Sequence, residues 1–267
     1  MALLDIRAFE TEQVSNDAVR CDFLGAPFDL LSAEGVLQLV GESTASTPFR
    51  YVVTPNVDHV VRLRRQPDLM RCYSQAWLSV CDSRPIAALS RLLGRRLSVV
   101  TGSDLTVNLF RSVVRDGDLV SVIAADQSIV QALETRYPQV QFRSHVPPLG
   151  LAANTEAMTA CVEFVTGANA RFVFIAVGCP QSEWIAFALS RHPDAHGTGL
   201  CIGASLEFLI GAKKRAPVWM QHIGFEWLHR LATDPRRLWR RYAYAVWPLA
   251  MLFRKELFLR HEKSSPK

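Results

Sequence analysis

The chain predicts an α/β fold: a mostly parallel sheet flanked by helices, with a basic helical appendage at the C-terminal end. Two observations carry this. From residue 50, short β-rich runs alternate with stretches of helical spacing, a pattern that favours parallel strands joined by helical crossovers. Positive charge is also concentrated at one end. Residues 213–267 hold 13 Lys and Arg against 4 acids, a local net charge of +9, while residues 1–212 carry 17 basic and 21 acidic groups and net −4. The chain accordingly divides into an α/β body, residues 1–212, and an appendage, residues 213–267.

Taken in order, a helix over Ser32–Gly41 precedes the sheet or follows a short N-terminal strand. The strand expected at Arg50–Thr54 leads into a helical stretch, Val57–Tyr73. Trp77–Cys81 then precedes helix Arg84–Leu93, and Leu97–Val100 precedes helix Asp104–Arg115. Leu119–Ala124 is followed by helix Ser128–Tyr137, and Val140–Ser144 by helix Asn154–Thr166. Phe172–Val177, helix Ser182–Arg191 and Gly199–Ile202 complete the body. Each strand candidate is a short β-rich run, and each helical stretch repeats its apolar residues at helical intervals.

At 267 residues and 49% hydrophobic content, the chain can bury a substantial core. Its six cysteines form no CxxC pair and mostly sit inside apolar runs, as buried reduced thiols do. The first 22 residues carry Asp5, Arg7, Glu10, Glu12 and Asp17 and no apolar run of signal-peptide length, so a cytoplasmic location is expected.

Polar residues gather where the strands end: Thr54-Pro55-Asn56, Asp82-Ser83-Arg84, Thr101-Gly102-Ser103-Asp104, Gly178-Cys179-Pro180-Gln181-Ser182-Glu183 and Gly203-Ala204-Ser205. In open α/β sheets the ligand crevice lies beyond the carboxyl ends of the strands, where helix N-termini also offer N–H groups to phosphate. Any one cluster reads equally as a helix start, with Ser103 or Asp104, and Ser182, as N-caps. Together at one edge they favour a nucleotide-type site. Asp82 stands out among them, because it follows an apolar strand and precedes a helix. A partly desolvated carboxylate there has a raised pKa and can take a proton from a sugar hydroxyl, although an N-cap is the simpler use of such an Asp.

Other patterns are weaker. Asp116-Gly117-Asp118 is formally a DxD, but it precedes a strand and reads as a turn. His192 and His196 flank Pro193 and Asp194, a loop rather than a zinc pair. No GxGxxG or GxxxxGK[ST] fingerprint occurs.

The appendage carries Trp219, Trp227, Trp239 and Trp247 among its basic residues, and Tyr242–Phe253 runs twelve residues without a charge. A bilayer span needs about 20 residues, so this run is too short to cross. Basic flanks, aromatic anchors and a short apolar stretch fit a segment lying against an anionic membrane surface. Nucleic acid is the rival anion, disfavoured by the apolar run. Alternatively Leu238, Tyr242, Val246, Leu249 and Phe253 pack a tail helix onto the body, with Pro248 kinking or interrupting it. Arg230, Arg237 and Arg240 fall near one side of a helix, or of two abutting helices, and guanidinium groups suit a diphosphate. A solvated basic face or a lipid-headgroup contact fits the same spacing.

The segments TPNVDHV (54–60), CDSRPIAAL (81–89), TGSDL (101–105), FIAVGCPQSEWI (174–185) and the long run from Gly203 to Tyr242 resemble the WecG/TagA/CpsF glycosyltransferase family of bacterial cell-surface polysaccharide assembly. The resemblance spans roughly residues 25–242. It implies a Rossmann-like body and an inverting transfer of a hexose or N-acetylhexosamine from a UDP-sugar. The acceptor would be a saccharide linked through pyrophosphate to a polyprenol at the inner face of the cell membrane. No cofactor and no DxD-bound metal are implied. By the same resemblance Asp82 matches the general base, and Thr54 and Asn56 match polar residues near the donor sugar. Gln181 and Ser182 stand in the donor-recognition loop, and Glu207 in the place of an acidic residue near the nucleotide. Arg230, Arg237 and Arg240 match arginines of a C-terminal appendage that folds over the site and stabilises the leaving diphosphate.

The chain departs from the family pattern at Ser83, where Gly is usual, at Ser182, where Gln is usual, and at Val99, where Arg is common. A non-catalytic peripheral membrane scaffold that binds a nucleotide or sugar is the alternative reading. Homo-oligomer formation stays open.

Overall fold

The computed structural model describes residues 19–213, 216–217, 220, 228, 231–232, 239 and 246–258. A hairpin comes first, with β1 (Arg20–Phe23) and β2 (Ala26–Asp29) paired antiparallel. Its two-residue turn places Leu24 at φ 56° and Gly25 at φ 76°, the primed geometry that matches strand twist. Helix α1 (Ala33–Gly41) follows, started by Ser32 Oγ accepting the Gly35 N–H. The alternating body then runs β3 (Arg50–Val53), α2 (Val57–Leu63), α3 (Pro67–Ser74), β4 (Leu78–Ser79), α4 (Arg84–Leu92) and α5 (Gly102–Ser112). It continues with β5 (Leu119–Ala124), α6 (Gln127–Arg136), β6 (Gln141–His145), α7 (Thr155–Ala168), β7 (Phe172–Ala176), α8 (Gln181–Ser190), β8 (Thr198–Cys201) and α9 (Ser205–Leu209).

Strands β3 to β8 form one six-stranded sheet in the order β4-β3-β8-β7-β5-β6, every neighbouring pair parallel. Successive side chains point to opposite faces, so the inner strands feed two cores, while edge strand β6 has no buried residue. Tyr51, Val53, Val173 and Ile175 face one; Val52, Val120, Val122, Phe172 and Phe174 face the other. Both faces of the inner strands are covered, which is why β5 and β7 read as nearly unbroken apolar runs. At the centre of the sheet β8 lacks bulk by necessity, since a Cβ on Gly199 would come within 2.5 Å of the Phe49 ring.

The structure revises some of the sequence-predicted elements. Val57–Tyr73 is two helices, because Pro67 starts α3 at its first position and ends α2 a few residues earlier. Leu97–Val100 forms no strand; Val99 makes a single bridge to Cys81, and the preceding chain is held back on α4 by Arg95 N–H to Ser90 O at 2.9 Å. The predicted caps of α5 and α8 shift as well, to Thr101 and Pro180.

The hairpin braces the edge of the sheet. Asp29, 5% exposed, receives Arg20 Nε at 2.7 Å and Nη2 at 2.8 Å and the Ser79 N–H at 2.7 Å. Ser79 Oγ donates to Pro27 O at 2.7 Å. Arg20 reaches further, to the carbonyls of Ser74, Ala76 and Trp77.

Residues 246–258 are helical, Pro248 included. Leu252 is buried in the core beside Phe23 and Leu24, with Leu249 and Phe253 partly buried against it. Glu256 accepts the Leu24 N–H at 2.9 Å and lies 3.8 Å from Arg95. Val246, Trp247, Met251, Leu257 and Phe258 stay exposed. The helix therefore packs by one apolar side and shows another, and Val246 belongs to the exposed side rather than to the packing stripe. Leu238 and Tyr242 lie outside the described residues, as does most of the appendage. No helix among the described residues is long and apolar enough to cross a membrane.

Leu252→Ala is expected to destabilise the protein by about 2–5 kcal/mol through the cavity it leaves. Val246→Ala at the exposed position is expected to stay within about 0.5 kcal/mol. Urea denaturation of the two variants checks both values.

Candidate active site

In a parallel sheet all strands emerge at one edge, and the polar clusters meet there through backbone contacts. The Asp82 N–H donates to Pro55 O at 3.0 Å, tying the segment after β4 to the segment after β3. The Val100 N–H donates to Cys81 O at 2.9 Å, which brings the start of α5 alongside. A Cβ on Gly102 would lie 3.1 Å from Ser205 Oγ and 3.3 Å from Thr54 Oγ1. The N-terminus of α5 thus sits directly on residues that follow β3 and β8. A Cβ there would be tighter than most, and its neighbours would have to give by a few tenths of an ångström.

Asp82 is half-buried at this junction. Its neighbour Ser83 takes the cap of α4, with Oγ accepting the Ile86 N–H at 3.3 Å, so Asp82 is not the N-cap that its position suggested. Cys81 beside it is buried, and burial pushes its thiol up to about 12, which keeps it protonated and unreactive.

The other predicted site residues fall in distinct places. Thr54 is 4% exposed and donates to Cys201 O at 3.2 Å. Asn56 caps α2, its Oδ1 accepting from Asp58 N at 3.0 Å and His59 N at 3.4 Å, while its amide nitrogen makes no hydrogen bond to a described residue. Gln181 is the half-buried first residue of α8. Ser182 is buried, and its hydroxyl donates inward to Ile175 O at 3.1 Å, fastening α8 to β7. Glu207 is half-buried on α9 and forms an ion pair with Lys213, whose N–H also donates to Glu207 O at 3.0 Å. Arg230, Arg237 and Arg240 lie outside the described residues.

The remaining motifs are structural. Asp118 accepts the Arg115 N–H and Arg171 Nη1, each at 3.0 Å, in the turn at the amino end of β5. His192 Nδ1 accepts the Asp194 N–H at 3.3 Å, and His196 Nδ1 contacts Asp194 O at 3.0 Å, within one loop.

A further polar group lies at the same edge, joining Cys179 and Glu183 of the cluster after β7 to His59 and Tyr73, which the sequence did not single out because they lie more than a hundred positions away. Glu183, on the first turn of α8, accepts the Tyr73 hydroxyl at 3.1 Å. His59, on the first turn of α2, meets the Tyr73 ring edge-on at 6.1 Å between centroids. Arg62 donates to Cys179 O at 3.2 Å. Burial, then the Glu183 charge, raises the Tyr73 and Cys179 groups well above their ordinary values. The regular apolar spacing of Val57–Tyr73 was the only sequence hint that His59 and Tyr73 share a helical region with access to this edge.

A parallel sheet with a half-buried carboxylate and a close-packed helix N-terminus at its carboxyl edge has the architecture of an α/β enzyme, whose ligand crevice lies at that edge, and comparison with known sequences narrows the class. The sequence model of the "Glycosyl transferase WecG/TagA/CpsF family" matches residues 21–263. The chain belongs to that family and is a glycosyltransferase. Among its relatives are proteins of Staphylococcus aureus strains COL and MW2, each an N-acetylglucosaminyldiphosphoundecaprenol N-acetyl-beta-D-mannosaminyltransferase. Each is 27% identical over 240 residues, covering 86% of this chain and 90% of the relative.

Gly102→Ala is expected to push Thr54 and Ser205 out of place at a cost of about 1–3 kcal/mol. Thermal denaturation measures the loss.

Proposed function

We propose that the protein is an inverting transferase that moves a hexose or N-acetylhexosamine from a UDP-sugar to a polyprenyl-pyrophosphate-linked saccharide. The observation that carries this reading is the junction at the sheet edge, where half-buried Asp82 is tied to the segment after β3 beside the N-terminus of α5. The names of the staphylococcal relatives support a lipid-diphosphate acceptor.

In this reading the Asp82 carboxylate takes the proton of the acceptor hydroxyl as that oxygen attacks the anomeric carbon of the donor. Attack comes from the face opposite UDP, the bond from the anomeric carbon to the β-phosphate oxygen breaks, and UDP leaves. Thr54 and Asn56 stand near the donor sugar, and Gln181 and Glu207 near the nucleotide. Ser182 acts by positioning, since its hydroxyl is spent on Ile175 O. The N-terminus of α5, the positive end of the helix dipole, suits the donor diphosphate. Arg230, Arg237 and Arg240 neutralise the charge that builds on the departing phosphate, a contribution that often dominates such barriers. With guanidinium groups in that role the diphosphate needs no divalent ion, and leaving Mg2+ and Mn2+ out of the assay is expected not to change the rate.

The exposed apolar side of residues 246–258, with Trp247 and Phe258, supports a peripheral seat on the cytoplasmic face of the membrane. The basic residues of the appendage add attraction to anionic lipid. A non-catalytic scaffold would share this surface, but it would release no UDP.

The test is UDP release from a panel of UDP-sugars with lipid-pyrophosphate-linked acceptors. Asp82→Asn is expected to lower kcat by about 10²-fold or more with UDP affinity nearly intact, the usual scale of general-base catalysis. A near-native rate in that variant removes Asp82 from the role of base. Arg237→Ala is expected to raise KM for the UDP-sugar and lower kcat; unchanged kinetics would leave that residue a membrane contact alone.

A further inference from the structure

We propose that His59, Cys179 and Glu183 form a binding site for a thiophilic divalent cation of the zinc type. A ligand atom from each, imidazole nitrogen, sulfur and carboxylate oxygen, lies within 4.8 Å of the others. Ligands at about 2.0–2.3 Å from a tetrahedral zinc ion stand roughly 3.3–3.8 Å from one another, so a small inward movement closes the set.

An independent observation points to a cation here. Glu183 is 2% exposed, and its Oε1 accepts the Tyr73 hydroxyl at 3.1 Å. Its Oε2 is buried and receives no N–H or O–H from the described residues, with the Cys179 thiol, a weak donor, beside the carboxylate. A buried carboxylate oxygen without a strong donor is costly, and a bound cation satisfies it directly. No Lys or Arg among the described residues forms an ion pair with Glu183.

The mixture of donors selects the ion. A sulfur and an imidazole favour zinc and its soft neighbours, whereas Mg2+ and Ca2+ require oxygen sets. Burial and the Glu183 charge hold the Cys179 thiol protonated without an ion. On binding, the S–H proton passes to solvent and the sulfur lone pair goes to the metal. Three protein ligands leave the fourth position to water or to an incoming donor.

The site is separate from the diphosphate chemistry proposed above. His59 lies three positions after Asn56 and Cys179 two before Gln181, so an ion would staple the segment after β3 to the segment after β7, across β8. The expected consequence is a stiffer site edge and a more stable fold.

The experiment titrates chelator-treated full-length protein with Co2+ and then Zn2+, and compares Cys179→Ser and His59→Gln, with circular dichroism verifying each fold. The wild type is expected to bind one Co2+ per chain with an intense near-ultraviolet thiolate-to-cobalt band that Zn2+ abolishes. Zinc at 100-fold above its Kd is expected to raise Tm by roughly 5–10 °C. Both variants are expected to lose the Tm shift, and Cys179→Ser the band. Absence of stoichiometric binding by the wild type overturns the proposal, as does a full band and shift in either folded variant. Should Cys179→Ser fail to fold, His59→Gln alone decides. None of these readouts depends on sugar transfer, so failure here leaves the transferase reading standing, and the reverse holds.

Discussion

The buried Asp29 carboxylate holds the β4 edge of the sheet in place. Strand β4 has only two residues, Leu78 and Ser79, paired to β3, a ladder too short to fix its own position. Asp29 supplies what is missing by binding Arg20 with both oxygens and taking the Ser79 N–H as well. Removing Arg20 would leave the buried Asp29 carboxylate without its charged partner, which is costly even though Arg20 itself is in contact with solvent. Asp82 follows Ser79 by three residues, so the hairpin, remote from the crevice in sequence, determines where the carboxylate stands. The Asp82 N–H to Pro55 O bond then completes the alignment with β3.

Most of the sheet was legible because both of its faces are covered. Runs such as Phe172–Ala176 and Leu119–Ala124 are apolar throughout, and that signal survives in a single sequence. The hairpin was not legible for an equally physical reason. Arg20-Cys21-Asp22-Phe23 mixes charge with apolar residues because Arg20 and Asp29 serve the ion pair, and its turn uses Leu24 where Asn or Asp is usual. Leu97–Val100 had strand composition, but Ser90 at the end of α4 binds the chain just before it and leaves only Val99 able to bridge. Val57–Tyr73 had continuous helical spacing, and periodicity does not register the break that Pro67 imposes.

The site was legible as a place more than as a set of contacts. Polar residues after each strand marked the edge correctly, since parallel topology sends all of them to one side. What each side chain does there depended on tertiary partners. Ser182 looked like a surface hydroxyl and is buried against β7; Ser83 took the cap that Asp82 seemed suited for. His59, Cys179 and Glu183 share one small volume although more than a hundred positions separate the first from the others, and no spacing rule reaches that far. The appendage combined both outcomes: its basic and apolar character was plain, while the division of residues 246–258 into a docked side and an exposed side needed the core around Leu252.

Leu24 and Glu256 stand 232 positions apart, yet one bond joins them. The amide proton of Leu24, fully shielded at the hairpin turn, is consequently a built-in reporter for the far end of the chain. Its exchange with deuterium would quicken whenever the terminal helix lifts away, long before the sheet itself opens.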